Sequence, residues 1–227
     1  MNEVQTIRVR VWDLPTRVFH WLLTTCVVGA IVSAHLGGNA MVWHLRLGYA
    51  VFTLLAFRLL WGVVGGHWSR FANFSYAPAT VVRYWRGHSR AHEHHDVGHN
   101  PLGAQAVFAL LALLGLQVGS GLFADDEIAT TGPLNKYVSD ATARILTRWH
   151  ANVGQWLIIA LLLLHVGAIV FYRVVRRRSL VLPMLSGDKH LTVAAPASAD
   201  NLRSRLLAAA LLAACAGLVG WVVGLGA

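Results

Sequence analysis

Charge is what this sequence has least of. Only 13% of its 227 residues are Asp, Glu, Lys or Arg, whereas a soluble domain carries roughly 25%. Hydrophobic residues make up 56% of the chain. This balance excludes an ordinary soluble domain and indicates that much of the chain is surrounded by lipid.

Cysteine is also scarce, with Cys26 and Cys215 as the two examples. Both fall inside apolar stretches, where a free cysteine behaves as a small packing residue. The sequence has no Cys-x-x-Cys-His motif, which excludes a covalently attached c-type haem.

Long apolar stretches, in contrast, are frequent. About 20 residues at 1.5 Å rise per residue cross a hydrocarbon core of about 30 Å. Stretches of this length predict five transmembrane helices, at about 18–36, 42–64, 102–123, 150–172 and 206–225. The fold class predicted is therefore an all-α integral membrane protein.

Basic residues outnumber acidic ones by 19 to 10, and their placement predicts the orientation. They are concentrated before helix 1, between helices 2 and 3, and after helix 4, whereas the segment 37–41 has none. The loop between helices 3 and 4 mixes both signs. The positive-inside rule then places the N-terminus in the cytoplasm and the C-terminus outside. Since topology accounts for the charge, we expect no nucleic-acid partner.

Ionisable residues inside a bilayer are costly and therefore candidates for function. Helix 4 carries His150 and His165, 15 residues apart. In an α-helix this spacing puts both on roughly the same side, about 22 Å apart along the axis. One imidazole is thus expected near each membrane surface.

Two further histidines lie at matching depths, His20 near the cytoplasmic end of helix 1 and His44 near the outer end of helix 2. The predicted pairs are His44 with His150 outside and His20 with His165 inside. Two imidazoles facing each other across a bundle can bind haem iron from both sides. With both axial positions filled, the chemistry favoured is electron transfer.

A repeated motif supports the outer pair. His44 and Gly48, like His150 and Gly154, follow the pattern H-x-x-x-G. A glycine one turn from the ligand, on the same face, leaves room for the edge of the haem ring. His35, near the outer end of helix 1, is an alternative to His44, but it has no such glycine.

Arg58 is a candidate for binding the haem as well. It lies 14 residues beyond His44, about 21 Å deeper along helix 2 and so near the inner pair. A buried guanidinium needs an anion, which a haem propionate would provide. The alternative is that its side chain extends to the interface.

The loop between helices 2 and 3 is rich in histidine, but the irregular spacing predicts a solvated loop rather than a metal site. At its end, Asn100 and Pro101 predict the start of helix 3, as N-cap and first helical residue. The five loop histidines are His88, His92, His94, His95 and His99.

Seven motifs together resemble the bacterial cytochrome b561 family, which includes the b-type cytochrome subunits of nickel–iron hydrogenases. They are V-W-D-L-P-T-R-V-F-H-W (11–21), W-H-L-R-L-G-Y (43–49), F-R-L-L-W-G (57–62), G-H-N-P-L-G-A (98–104), G-L-F-A-D-D-E-I (121–128), W-H-A-N-V-G (149–154) and L-H-V-G-A-I-V-F-Y (164–172). The resemblance implies two haems b in a four-helix transmembrane bundle, with axial ligands at His20, His44, His150 and His165. It also implies a bacterial inner membrane, with the C-terminus in the periplasm.

By this resemblance, residues 1–190 form the diheme core and residues 191–227 a linker with an extra transmembrane helix. Gly220 and Gly224 form a G-x-x-x-G motif in that helix. The motif permits close helix contact, as in a homodimer. The alternative is an anchor that faces lipid.

The function expected is electron transfer between the quinone pool and a periplasmic or membrane redox partner such as a c-type cytochrome. One alternative is a membrane anchor cytochrome b subunit of a hydrogenase-like complex, and another is a superoxide:quinone oxidoreductase. A haem-free membrane transporter is a more distant one. The sequence points to no catalytic acid, base or nucleophile, so we expect oxidoreductase-type activity at most.

Overall fold

A computed structural model describes residues 6–89, 93, 95, 97–128 and 130–226. Within these residues, five helical stretches are long and apolar enough to cross a membrane. They are Leu14–Leu36, Gly38–Val64, Pro101–Gly121, Asp140–Val174 and Leu202–Gly224. The predicted all-α membrane fold with five spans is thereby confirmed.

The described residues contain eight α-helices and two short strands. The helices are α1 (Leu14–Leu36), α2 (Met41–Val64), α3 (Pro78–Trp85), α4 (Pro101–Gly121), α5 (Asp140–Arg148), α6 (Gln155–Val174), α7 (Val181–Ser186) and α8 (Leu202–Gly224), and the strands are β1 (Ile7–Arg10) and β2 (Asp188–Leu191). A π-helical segment, Trp149–Gly154, joins α5 to α6. The five helices predicted from sequence correspond to α1, α2, α4, α6 and α8; the first begins four residues earlier than expected.

Side-chain caps determine where two of the long helices begin. The carboxylate of Asp13 accepts a hydrogen bond from the backbone N–H of Thr16 at 2.8 Å, just before α1. Asn100 does the same for the N–H of Gly103 at 2.7 Å, and Pro101 is the first residue of α4. Such caps satisfy N–H groups that have no partner inside the helix. The start of α4 predicted from Asn100 and Pro101 is confirmed.

The chain divides into two compact units. Unit 1 comprises Met1–Val18, Leu59–Ala109 and His165–Ala208, and unit 2 comprises Phe19–Arg58, Leu110–Leu164 and Ala209–Ala227. The predicted boundary near residue 190 stays a prediction.

In unit 1, the two strands pair antiparallel, from Ile7 opposite Leu191 to Arg10 opposite Asp188. This pairing joins a segment before α1 to one after α7. An apolar cluster packs beside it, formed by the buried residues Val9, Val11, Trp12, Val97 and Leu191.

Asp13, also in unit 1, is a fully buried carboxylate with an exposed fraction of 0%. Besides capping α1, it accepts hydrogen bonds from the Trp61 indole at 3.2 Å, the Gly66 N–H at 3.1 Å and the Ser69 hydroxyl at 2.7 Å. All four partners donate, which suits a carboxylate because it can only accept. Asp13 therefore connects the start of α1 to the end of α2 and to the segment that follows α2.

Unit 2 has an apolar core to which four helices contribute. Its buried members come from α1, α2, α4 and α6, and they are Val27, Val51, Leu55, Leu114 and Ile158. Four of the long helices thus pack together here, as in the bundle that the sequence predicts.

Candidate functional site

Unit 2 contains a largely apolar cavity, which we call the histidine cavity. Its volume is about 330 Å³, within the range of about 300–1,000 Å³ for ligand and cofactor pockets. His44 and Gly48 from α2, Gln117 and Gly121 from α4, and His150 line it, among mainly aliphatic side chains.

His44 and His150 meet in this cavity. Their ring centroids are 5.8 Å apart, and the ring planes stand at 85° to each other. His44 lies in the first turn of α2, and His150 lies in the π-helical segment before α6. The structure thus brings together the two side chains that the sequence predicts as the outer pair.

Both imidazoles are oriented by backbone carbonyls. Nδ1 of His44 lies 2.9 Å from the carbonyl oxygen of Ala30, and Nδ1 of His150 lies 2.8 Å from that of Gln117. Because a carbonyl oxygen can only accept, each Nδ1 carries the hydrogen. The lone pair of each Nε2 is therefore available to a metal, the arrangement common among metal-binding histidines.

These features fit a haem held between two imidazoles. The donor set is two histidines whose Nδ1 atoms face backbone carbonyls, and a Cβ added at Gly48 would meet no described atom within 4 Å, so the wall is open there. The two rings now lie edge to face. A planar group between them therefore requires the side chains to separate.

Gly154 and Gly121 allow neighbouring side chains to approach the backbone closely. A Cβ at Gly154 would overlap the side-chain amide of Gln117, and one at Gly121 would lie 2.7 Å from Cε1 of His150. Gly154 thus makes room for Gln117, and the space for a ring edge that the sequence predicts there stays a prediction. Gly121 and Gln117 were missed by the sequence analysis, because backbone acceptors and close approaches leave no residue pattern.

His35, the alternative outer ligand, has protein partners at both ring nitrogens. Nδ1 lies 2.9 Å from the carbonyl oxygen of Ile31, and Nε2 lies 3.3 Å from the amide nitrogen of Gln155. Since the Gln155 amide donates to Nε2, that lone pair is occupied. The geometry therefore favours His44 over His35.

The structure does not bring the other predicted site residues into the histidine cavity. His20, in unit 2, and His165, in unit 1, are both half-buried; their pairing stays a prediction. Arg58 is only 3% exposed, so protein covers its side chain, and its binding of a propionate stays a prediction.

Two of the loop histidines, His92 and His94, lie outside the described residues. In the part of the chain that the structure describes, no three His, Cys, Asp or Glu side chains are grouped so that they could bind a metal ion.

Five apolar helices and a cavity in which two histidines meet define a helical membrane protein with a candidate site for a cofactor. The profile of the prokaryotic cytochrome b561 family matches residues 11–187, and the chain belongs to this family. It is accordingly a b-type membrane cytochrome of electron transfer.

Curated relatives align over most of both chains. The probable Ni/Fe-hydrogenase B-type cytochrome subunit of Bradyrhizobium diazoefficiens is 23% identical, covering 80% of this chain and 85% of the relative. The corresponding protein of Rhodobacter capsulatus is 25% identical, covering 83% and 85%. The probable Ni/Fe-hydrogenase 1 B-type cytochrome subunit of Escherichia coli K12 is 23% identical, covering 69% and 80%. No solved structure matches the chain.

Proposed function

We propose that this protein transfers electrons across the bacterial inner membrane by means of two haems b, between the quinone pool and a redox partner protein. His44 and His150 hold the periplasmic haem, and His20 and His165 hold the cytoplasmic one. The N-terminus lies in the cytoplasm and the C-terminus in the periplasm.

One observation carries this proposal. His44 and His150 come from different helices, meet in one cavity and each bond a backbone carbonyl through Nδ1. With Nδ1 bonded in this way, each ring keeps an Nε2 lone pair, and both rings line the same cavity. Two histidines that together would hold an iron need this arrangement, whereas two packing histidines do not.

A bound haem b supplies a one-electron couple between ferric and ferrous iron. The chain's own residues orient and shield it. The carbonyls of Ala30 and Gln117 would hold the imidazoles in one tautomer, the aliphatic side chains of the histidine cavity would pack against the haem, and Arg58 would neutralise a propionate. With two histidines as ligands, the iron would have no position open to O₂, which suits electron transfer rather than oxygen chemistry.

The proposal is tested by a reduced-minus-oxidised spectrum of the detergent-purified protein, with a pyridine haemochrome assay of haem per chain. The wild type, His150→Ala and His165→Ala are compared. We expect two haems b in the wild type and one in each variant, with spectra that differ because different haems remain. A wild type without haem would refute the proposal, and loss of both haems in each folded variant would refute the pairing.

The names of the relatives favour a second candidate for the partner. All three relatives described above are named as cytochrome subunits of nickel–iron hydrogenases. As such a subunit, this chain would anchor a hydrogenase-like enzyme and accept its electrons. Purification from the native membrane decides between the partners. A co-purifying large subunit, with haem reduction by H₂, supports the anchor, and haem reduction by a c-type cytochrome alone supports the conduit.

A further inference from the structure

We propose that Gln117 is a positioning residue that fixes both the location and the electron density of the His150 imidazole, and thereby sets the reduction potential of the periplasmic haem. This inference rests on the proposed function of the His44–His150 pair.

Gln117 and His150 are joined by two hydrogen bonds that run in opposite directions. Nδ1 of the His150 ring donates to the backbone carbonyl of Gln117 at 2.8 Å. The side-chain amide nitrogen of Gln117 donates to the backbone carbonyl of His150, also at 2.8 Å. One residue of α4 therefore holds both the side chain and the main chain of the ligand.

The orientation of the Gln117 amide follows from its partner. A backbone carbonyl oxygen only accepts, so the amide atom that faces it is the nitrogen. A side chain of the same length without an N–H donor would lose this bond while keeping its packing. The contribution of the bond can therefore be separated from that of the side-chain volume.

The local backbone leaves little room for another arrangement. His150 lies in the π-helical segment Trp149–Gly154, and such segments occur frequently at functional sites. Gly154 allows the Gln117 amide to approach, and Gly121 allows the imidazole to approach α4. The side-chain amide holds the segment at the distance where the ring reaches the Gln117 carbonyl.

The position of this carbonyl favours a hydrogen bond from an imidazole. It lies four residues before the end of α4, where aligned peptide dipoles give a partial negative charge. It also accepts the hydroxyl of Ser120 at 2.9 Å. An acceptor at Nδ1 makes an imidazole a more basic ligand, which stabilises ferric iron.

The test compares Gln117→Met with Gln105→Met in the full-length holoprotein. Both glutamines belong to α4, but Gln105 is exposed and is not among the residues that line the histidine cavity. Each variant is titrated potentiometrically, and its low-spin haem signals are recorded by electron paramagnetic resonance.

For Gln117→Met we expect the potential of the periplasmic haem to rise and its resonance signal to shift, with the cytoplasmic haem unchanged. The backbone carbonyl of residue 117 remains in this variant, but the segment that carries His150 is no longer held beside it. We therefore expect haem binding at this site to weaken roughly 10- to 100-fold, as when the outer-shell support of a metal ligand is lost. Gln105→Met should match the wild type. Unchanged potential and signal in Gln117→Met would overturn the inference, as would an equal shift in Gln105→Met.

A measurement on the haem-free protein adds a second readout. Hydrogen–deuterium exchange of residues 149–154 should be faster in Gln117→Met than in the wild type, and unchanged in Gln105→Met. Equal exchange in Gln117→Met and the wild type would overturn the inference. If Gln117→Met fails to assemble, Gln117→Asn keeps the amide but shortens its reach, and the same upward shift is expected; an unchanged potential there would also overturn it. A wild type without haem would refute the proposed function instead, so the two failures are distinct.

Discussion

The imidazole of His44 stands almost perpendicular to that of His150, with 5.8 Å between the ring centroids. His35, in contrast, has both ring nitrogens engaged by Ile31 and Gln155. The Nε2 lone pair of His35 is occupied, whereas that of His44 is available to a metal. We therefore expect opposite effects when each histidine is replaced.

We therefore expect His44→Ala to lose one of the two haems and His35→Ala to keep both. The reason is that only His44 presents an available ligand atom to the histidine cavity. Haem per chain, from the pyridine haemochrome assay, checks this directly. Loss of a haem in His35→Ala with full retention in His44→Ala would show that His35 is the ligand.

Two glycines of α4 differ in their distance from His150: Gly121 lies against its ring, and Gly119 does not. Replacing each by alanine therefore gives a matched comparison. In Gly121→Ala the new Cβ would lie 2.7 Å from Cε1 of the imidazole, which forces the ring out of position. In Gly119→Ala the new Cβ meets no described atom within 4 Å. We expect Gly121→Ala to bind the periplasmic haem at least about 10-fold more weakly, as loss of ligand support does.

Gly119→Ala is expected to bind both haems normally and to be equally stable or more stable by about 0.5–1 kcal/mol, since alanine favours a helix interior. Haem titration and thermal unfolding measure the two effects. Equal haem affinity in both variants would contradict the proposed position of the His150 ring.

Replacing the carboxylate of Asp13 by an amide of nearly the same shape should strongly lower the free energy of unfolding. In Asp13→Asn an amide nitrogen replaces one carboxylate oxygen and faces two buried donors. Each donor left without an acceptor costs about 1–3 kcal/mol, so we expect a loss of about 2–5 kcal/mol. Thermal unfolding in detergent, followed by tryptophan fluorescence, measures it.

The exposed Asp140, in the first turn of α5, supplies the control for this substitution. Asp140→Asn should change stability by no more than about 0.5 kcal/mol, as is usual at the surface. If both substitutions had the same small effect, the buried carboxylate would not hold unit 1 together as described.

Asp200 makes the stability of unit 1 depend on pH. Burial alone would raise the pKa of its carboxyl, but hydrogen bonds from Arg205 and the Leu14 backbone, with the charges of Arg205 and Arg10, lower the pKa overall. Arg10 lies 2.9 Å from the carboxylate, and Arg205 lies 3.0 Å from it. A lowered pKa in the folded state means that the unfolded chain binds the proton more readily, so protonation favours unfolding.

The stabilisation of unit 1 by the Asp200 carboxylate is therefore complete above the ordinary carboxyl pKa of about 3.9. It is lost as the pH falls below that value. We expect the wild type to melt at a higher temperature than Asp200→Asn at neutral pH. The difference should shrink steadily below about pH 4. A difference that stays constant on acidification would show that the carboxylate is not held by these arginines.

The long apolar helices were predictable because their signal is local. Hydrophobic length alone located α2 and α4 to within two residues at most ends. The short elements gave no such signal: α3 and α5 are brief and lie at polar surfaces, and the start of α6 is displaced by the π-helical segment. Strand β1 is formed by pairing with β2, about 180 residues away along the chain, which no local pattern reveals.

The same difference between local and non-local signals applies to the candidate site. Histidines stand out in an apolar helix, so His44 and His150 could be identified and paired by depth. The carbonyls of Ala30 and Gln117, which set their tautomers, belong to residues whose side chains carry no sign of that role. Residues 150–165 do not form one continuous α-helix, as the predicted depth of the two histidines requires, because the first of them are π-helical.

The pairing in unit 1 has a consequence for the order in which the protein is made. The hydroxyl of Ser198 donates to the carbonyl of Val11 at 2.7 Å, across 187 positions of the chain, and β1 finds its partner only at residues 188–191. On the ribosome, the first strand therefore stays unpaired while α1 to α7 are synthesised. A nascent chain stalled before β2 carries these helices without the strand pairing and the Ser198–Val11 hydrogen bond that hold the segment before α1.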